Sequence, residues 1–363
     1  MKGRLWWVFP CAVLSFCLLV VLLPAALIEA VFSRGIFVAL QWMLGKPVSW
    51  LPFSLTEVLV LAALPVLGIG ITLLVRRLRR AEHRRAVWMA LLRRTLCVAA
   101  AVLLLYMLLH GVNFYRLPTD RLLGYDVTPA DAKQLYAICL DLAQKASQQR
   151  ESLAEDERGC MRLQGSLSQL RAQAVQGYDA LQAQYPFLSG AVRQVKAVQL
   201  SHWWSYTGIT GMYFPLLAEA NINIDAPACF MPATAAHELA HTRGFAREDE
   251  CNFWAYRTCI AHPEAQFRYA GYLLAFVHCA NAYYAYDAAG YRELYQACSD
   301  AVRRDLAANA AYWEQFKGPV RQLSESVNDA FLTVQGQQSG VLAYGEMVRL
   351  VVGHYRSEQI LSR

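Results

Sequence analysis

Residues 237 to 241 read His-Glu-Leu-Ala-His. Two histidines four apart stand on one face of a helix, so both imidazoles reach a single zinc ion. The intervening Glu238 then lies beside that ion, placed to take a proton from water. Thr242, Arg243 and Gly244 end the helix, Gly244 supplying the positive φ of a tight reversal, and a second helix is expected from about Arg247. A hydrolytic zinc site keeps one position open for water and needs a third protein ligand. Three acidic residues of the second helix compete for that role: Glu248, Glu250 and Asp249. A closed structural zinc site has four protein ligands and no use for a base, so Glu238 argues for hydrolysis.

Zincins of the two-histidine, one-glutamate kind resemble this stretch when their pattern Glu-x-x-small-Asp is laid on Glu248 to Asn252. The resemblance implies Glu248 as third metal ligand, with Glu250 as the alternative, and Asn252 as the acceptor that orients His237. The link of seven positions from His241 to Glu248 is shorter than in most such enzymes. The related pattern His-Glu-x-x-His-x-x-Gly-x-x-His matches at Gly244 but has Arg247 where its third ligand belongs. In many zincins a strand beside the site helix aligns an extended peptide by backbone pairing. Leu217 to Ile224 is the expected counterpart, with Glu219 and Asn221 as substrate-binding residues. Further groups that could donate to a carbonyl are His202, His262 and His278, and Tyr206, Tyr213, Tyr256, Tyr269 and Tyr272.

These residues need positioning by the rest of a chain of 363 residues, of which 56% are hydrophobic and only 17% charged. That balance excludes a disordered chain and an ordinary soluble enzyme. Charge is unevenly placed: residues 1 to 116 hold 13 Lys/Arg against 3 Asp/Glu, the remainder 21 against 25. The split leaves no argument for nucleic-acid binding. Uncharged runs at Leu5 to Ile28, Val58 to Val75 and Thr95 to Tyr115 predict three transmembrane helices. The first is read as a retained span, being longer than a signal-peptide core. Six arginines between Arg76 and Arg85, with Lys2 and Arg4, predict a cytoplasmic N-terminus and an extracytoplasmic domain from residue 117 to 363. Phe32 to Phe53 is expected outside as a short interfacial helix plus loop, anchored by Trp42 and Trp50. His110, an ionisable residue within the third span and so a candidate functional site, stands near its outer end and is read as reaching the membrane interface.

Beyond residue 116 the pattern is mainly helical. A helix start is expected at Thr128 and Pro129, a loop over Gln148 to Gly159, and helices at Leu163 to Gln176 and Ala191 to Val198. A short strand or hairpin is expected within Thr207 to Phe230, then helices to the end, closing with Val341 to Arg356. Seven cysteines lie in this part, enough for one or two disulfides in an oxidising compartment. The layout resembles a bacterial membrane family, domain of unknown function 3810, in five stretches. They are His110 to Arg116, Gly211 to Asn223, His237 to Tyr256, Val327 to Leu332 and Gly340 to Gly345. The resemblance implies a helical anchor followed by a zincin-like domain. The expectation is a multi-pass membrane zinc metallopeptidase acting on extracytoplasmic peptides or proteins, with the lipid bilayer as its other partner. The alternative is a non-catalytic scaffold or sensor that keeps the fold.

Overall fold

A computed structural model describes residues 5–334 and 343–358; Lys2, Arg4 and Gly340 to Leu342 lie outside them. The protein is mainly helical, with one small sheet. The first expected span is two helices, α1 (Val8–Leu22) and α2 (Ala25–Ser49). Pro24, with φ −60° and ψ 133°, has no N–H to continue the ladder and starts the next helix instead. Helix α2 replaces the expected loop up to Ser49. Wide π-helical turns at Ile28–Ile36 and Gln41–Gly45 interrupt it, the second just before Pro47, where a regular turn would clash.

Helices α3 (Leu55–Arg80) and α4 (Arg84–Leu109) form a hairpin of 26 residues each, about 39 Å long. The arginine-rich turn is its far tip, and both ends at the other side join the rest of the protein. Among the described residues three helices, α2, α3 and α4, are long and apolar enough to cross a membrane; α1 is shorter. The third expected span stops early. The chain leaves the helix at His110, and Gly111–Tyr115 makes a tight 3-10 turn whose Val112, Asn113 and Phe114 are buried in protein. A Cβ on Gly111 would stand 2.5 Å from Met107 Sδ, so a larger residue there would have to displace the Met107 side chain.

The remainder packs around α5 (Ala132–Arg150), whose cap is Asp131 rather than Thr128: its carboxylate accepts from the Gln134 amide at 2.7 Å. The expected helix over residues 191–198 is extended chain ending in β1 (Lys196–Val198), its valines at 192, 195 and 198 buried against the core. The 163–176 segment is a shorter helix, Leu167–Gln173, opened by a Ser166/Gln169 capping box. The expected hairpin is β2 (Gly211–Phe214) antiparallel to β3 (Glu219–Asn223), with β1 parallel on the other side of β3. The sheet order β1-β3-β2 makes β3 the central strand and β2 an edge.

Helices α6 (Met231–His241), α7 (Glu248–Ile260) and α8 (Ala265–Tyr284) stack beneath the sheet. Alanines 233, 235, 236 and 240 of α6 are buried and allow close approach of its neighbours. Helices α9 (Asp300–Glu314), α10 (Pro319–Val334) and α11 (Ala343–Ser357) follow. Asp305 of α9 is buried, accepting from Arg150 Nε, Tyr269 Oη and the Met161 amide at 2.7 Å each, which ties α9 to α5 and α8. All ten cysteines are free thiols.

Candidate metal centre

Helix α6 presents His237, Glu238 and His241 into a cavity of about 1260 Å³. Gly244, at φ +81°, reverses the chain after α6 and brings α7 back alongside it. Each imidazole is fixed through Nδ1. That of His237 donates to Asn252 Oδ1 at 2.8 Å, and that of His241 to the Phe245 carbonyl at 2.9 Å. Because both partners are acceptors, each Nδ1 carries the proton and each Nε2 is turned toward Glu248, at 3.0 Å from His237 and 3.6 Å from His241. Glu248, at the start of α7, stands at the cavity rim with 40% of its side chain accessible.

Glu250 is turned away: its Oε1 accepts from the Thr119 amide and Arg247 Nη2, both at 2.7 Å, so this alternative third ligand is already engaged in joining α7 to residue 119. Asp249 does not line the cavity. Arg247 donates to the Phe114 carbonyl at 2.9 Å, a structural use of the position where the His-Glu-x-x-His-x-x-Gly-x-x-His pattern has a ligand.

His237, His241 and Cys251 offer ligand atoms within 4.8 Å of one another, and so form a possible metal-binding cluster. Cys251 Sγ, however, lies 3.3 Å from His241 Nδ1, on the protonated side of that ring, and donates to the Phe245 carbonyl. Burial pushes its thiol well above its ordinary range, which disfavours the thiolate a metal requires. Two Nε2 atoms and the Glu248 carboxylate are the donor set that converges without such a cost.

Charge in the metal-free centre follows from burial and proximity. Burial opposes the imidazolium of His237, but the Glu248 and Glu238 carboxylates override it and raise the group to about 9. Burial and the Glu248 charge push Glu238 up to about 8, against lowering by His237 and the Tyr213 amide. Burial holds His241 below the usual range, and the two histidines hold Glu248 low in spite of its own desolvation. Glu238 Oε2 is buried and has no hydrogen-bond partner among the described residues, an orphan atom that a cation or water would satisfy. Gly211 of β2 makes room for this carboxylate, since a Cβ there would stand 2.4 Å from Glu238 Oε1. The residues present thus fit a divalent cation.

The remaining predicted residues separate clearly. Glu219 and Asn221 are on central β3, away from the cavity. Glu219 accepts from the Leu55 and Thr56 amides at 3.0 and 2.7 Å and from Thr56 Oγ1 at 2.6 Å, so it caps α3. Asn221 Oδ1 accepts from Ser54 Oγ at 2.6 Å in the same cluster. A central strand has no free edge, so β2 rather than β3 presents an open edge at the site, which Asn223 of β3 also lines. His202 pairs with Asp225 on the surface, and His262 bonds the Gln173 carbonyl. His278 is held below its usual range by burial and, less, by His237. Tyr213 alone of the five tyrosines lines the cavity. Its ring stacks on His241 at 5.8 Å and its hydroxyl accepts from Gln41 Nε2 at 2.8 Å. Tyr269 is spent on Asp305.

His110 is the residue local reading undervalued. It lines the cavity with its ring centroid 5.6 Å from that of His241. Beyond it, Arg116 grips the carboxylate of Glu29 on α2 at 2.8 and 2.9 Å and donates to the Gly244 carbonyl at 2.9 Å. The N-terminal helices therefore brace the turn that sets the angle between α6 and α7.

No curated protein and no solved structure matches the chain. A family described as Protein of unknown function (DUF3810) matches residues 32–352, a range that holds every residue of this centre, and the chain belongs to that family.

Proposed function

We propose that the protein is a membrane-anchored zinc metallopeptidase with a zincin-like domain outside the cytoplasm. One observation carries this reading. Both imidazoles commit Nδ1 to a protein acceptor and turn Nε2 toward one carboxylate, with a buried, partnerless Glu238 oxygen beside them. His237, His241 and Glu248 would hold the ion, and Asn252 would orient His237. When bound, zinc supplies the positive charge that acidifies water and polarises the scissile carbonyl. Glu238 receives the proton of the attacking water and passes it to the leaving amine, a task suited to a carboxyl whose proton affinity burial has raised toward neutrality. The outer edge of β2, which pairs with no further strand among the described residues, faces an extended peptide, and His110 faces the same space as a donor to the developing oxyanion.

The arginine-rich tip of the α3/α4 hairpin, at the end opposite the metal centre, supports placing that tip in the cytoplasm and the centre outside. The test uses the full chain in detergent. Glu238→Gln is expected to retain about one zinc per chain and lose hydrolysis of a peptide library by about 10³-fold or more. His241→Ala and Glu248→Ala are expected to lose the metal. Unchanged cleavage by Glu238→Gln, or no stoichiometric metal in the parent, overturns the reading.

A further inference from the structure

We propose that the centre acts on polypeptides held in the bilayer by an apolar chain, which enters sideways along α4 while the adjoining peptide bond reaches the histidines. This rests on the peptidase reading above and names its substrate class.

The cavity that holds His237, Glu238 and His241 does not end at the domain surface. It continues down one face of α4 through His110, Tyr106, Leu103, Val102 and Ala99. Those positions span eleven residues of helix, about 16 Å, along a helix long and apolar enough to cross a membrane. Phe214 and Leu216 form part of the facing wall. Val102 is 46% exposed, so the groove is open on the side where lipid would lie. A site for soluble peptides has no need of an apolar channel along a membrane helix.

The depth of the centre agrees. Arg93 and Arg94 interrupt the apolar sequence of α4, and from Arg94 to His110 is sixteen positions, about 24 Å, less than the roughly 30 Å of a hydrocarbon core. With the arginines at the inner boundary, His110 lies at or just within the outer one. The surroundings of the mouth match that level. Helix α10 turns Ser324, Glu325 and Asn328 to the cavity and leaves Val320, Leu323 and Val327 exposed outward, an interfacial pattern. Trp203, 68% exposed, follows Leu200, whose amide bonds Glu57 in the first turn of α3, where that helix would enter the bilayer.

Binding is measured with full-length Glu238→Gln protein in phosphatidylcholine nanodiscs, so that no turnover is required. One short fluorescent peptide is made unmodified, with a palmitoyl chain, and with an apolar peptide extension, and partition into empty nanodiscs is subtracted. Both tailed forms are expected to bind at least about tenfold tighter than the unmodified one. Val102→Trp and, separately, Ala99→Trp are expected to remove most of that advantage while keeping zinc. Val98→Trp, 62% exposed on the same helix but outside the groove, is expected to preserve it. The better-bound tail tells an acyl chain from an apolar segment. Equal binding of all three forms, or a tail advantage that neither groove-filling variant changes, overturns the proposal. Tailed binding without hydrolysis by the parent protein would remove the peptidase reading alone.

Discussion

A metal ion held by His237 would have to displace a proton. Glu248 and Glu238 raise this imidazole to about 9 against the effect of burial, which favours its charged form at pH 7. Zinc affinity is therefore expected to rise with pH up to about 9 and to fall in acid. Glu238, raised to about 8, also holds a proton at neutrality that a nearby cation would discourage. Calorimetric titration at pH 7 in two buffers of different ionisation enthalpy should register release of between one and two protons per zinc. Release of none would show that His237 is already neutral before the metal binds. At this scale most of the centre was legible, because His237, Glu238, His241, Glu248 and Asn252 lie within sixteen consecutive positions and helical spacing places them together. His110 was not, since nothing local ties the end of an apolar run to a motif more than a hundred residues later.

Strand β3 and helix α3 are joined by one carboxylate. Glu219 satisfies the first amides of α3, donors that a helix start leaves without intrahelical partners, and does so fully buried. Glu219→Ala should lower stability by about 2–4 kcal/mol, read as a lower thermal or urea midpoint in detergent. A substrate-binding Glu219 would instead raise KM and leave the midpoint unchanged. Periodicity found the helical character of the chain, the β2/β3 hairpin and the reversal at Gly244. It missed α2, because Pro24 breaks an uninterrupted apolar run, and β1, because buried valines in a short segment fit helix and strand alike. The partner of Glu219 lies 163 residues away in the chain, out of reach of any local pattern.

At the scale of the whole molecule, the N-terminal helices complete the candidate site. A fragment starting at residue 117 would lose Arg116 and Glu29 from the turn after α6, Gln41 from the Tyr213 hydroxyl, Ser54 and Thr56 from Glu219, and His110 from the cavity. Several buried polar groups would then have no partner, each costing about 1–3 kcal/mol against a total stability of about 5–15. The fragment is expected to aggregate or to bind zinc at least about tenfold more weakly than the full chain. A soluble, monomeric fragment with full zinc affinity would show that the anchor only tethers the domain.

The grip of Arg116 on Glu29 also sets an order of biogenesis. Glu29 leaves the ribosome more than two hundred residues before the ligands at 237, 241 and 248, and α2 is already in place when they arrive. A nascent chain whose leading helices fail to insert offers Arg116 no counter-ion, and the turn between the ligand helices is left unsupported. Failed placement of the N-terminal helices would thus leave the candidate metal centre without the Arg116–Glu29 brace on its turn.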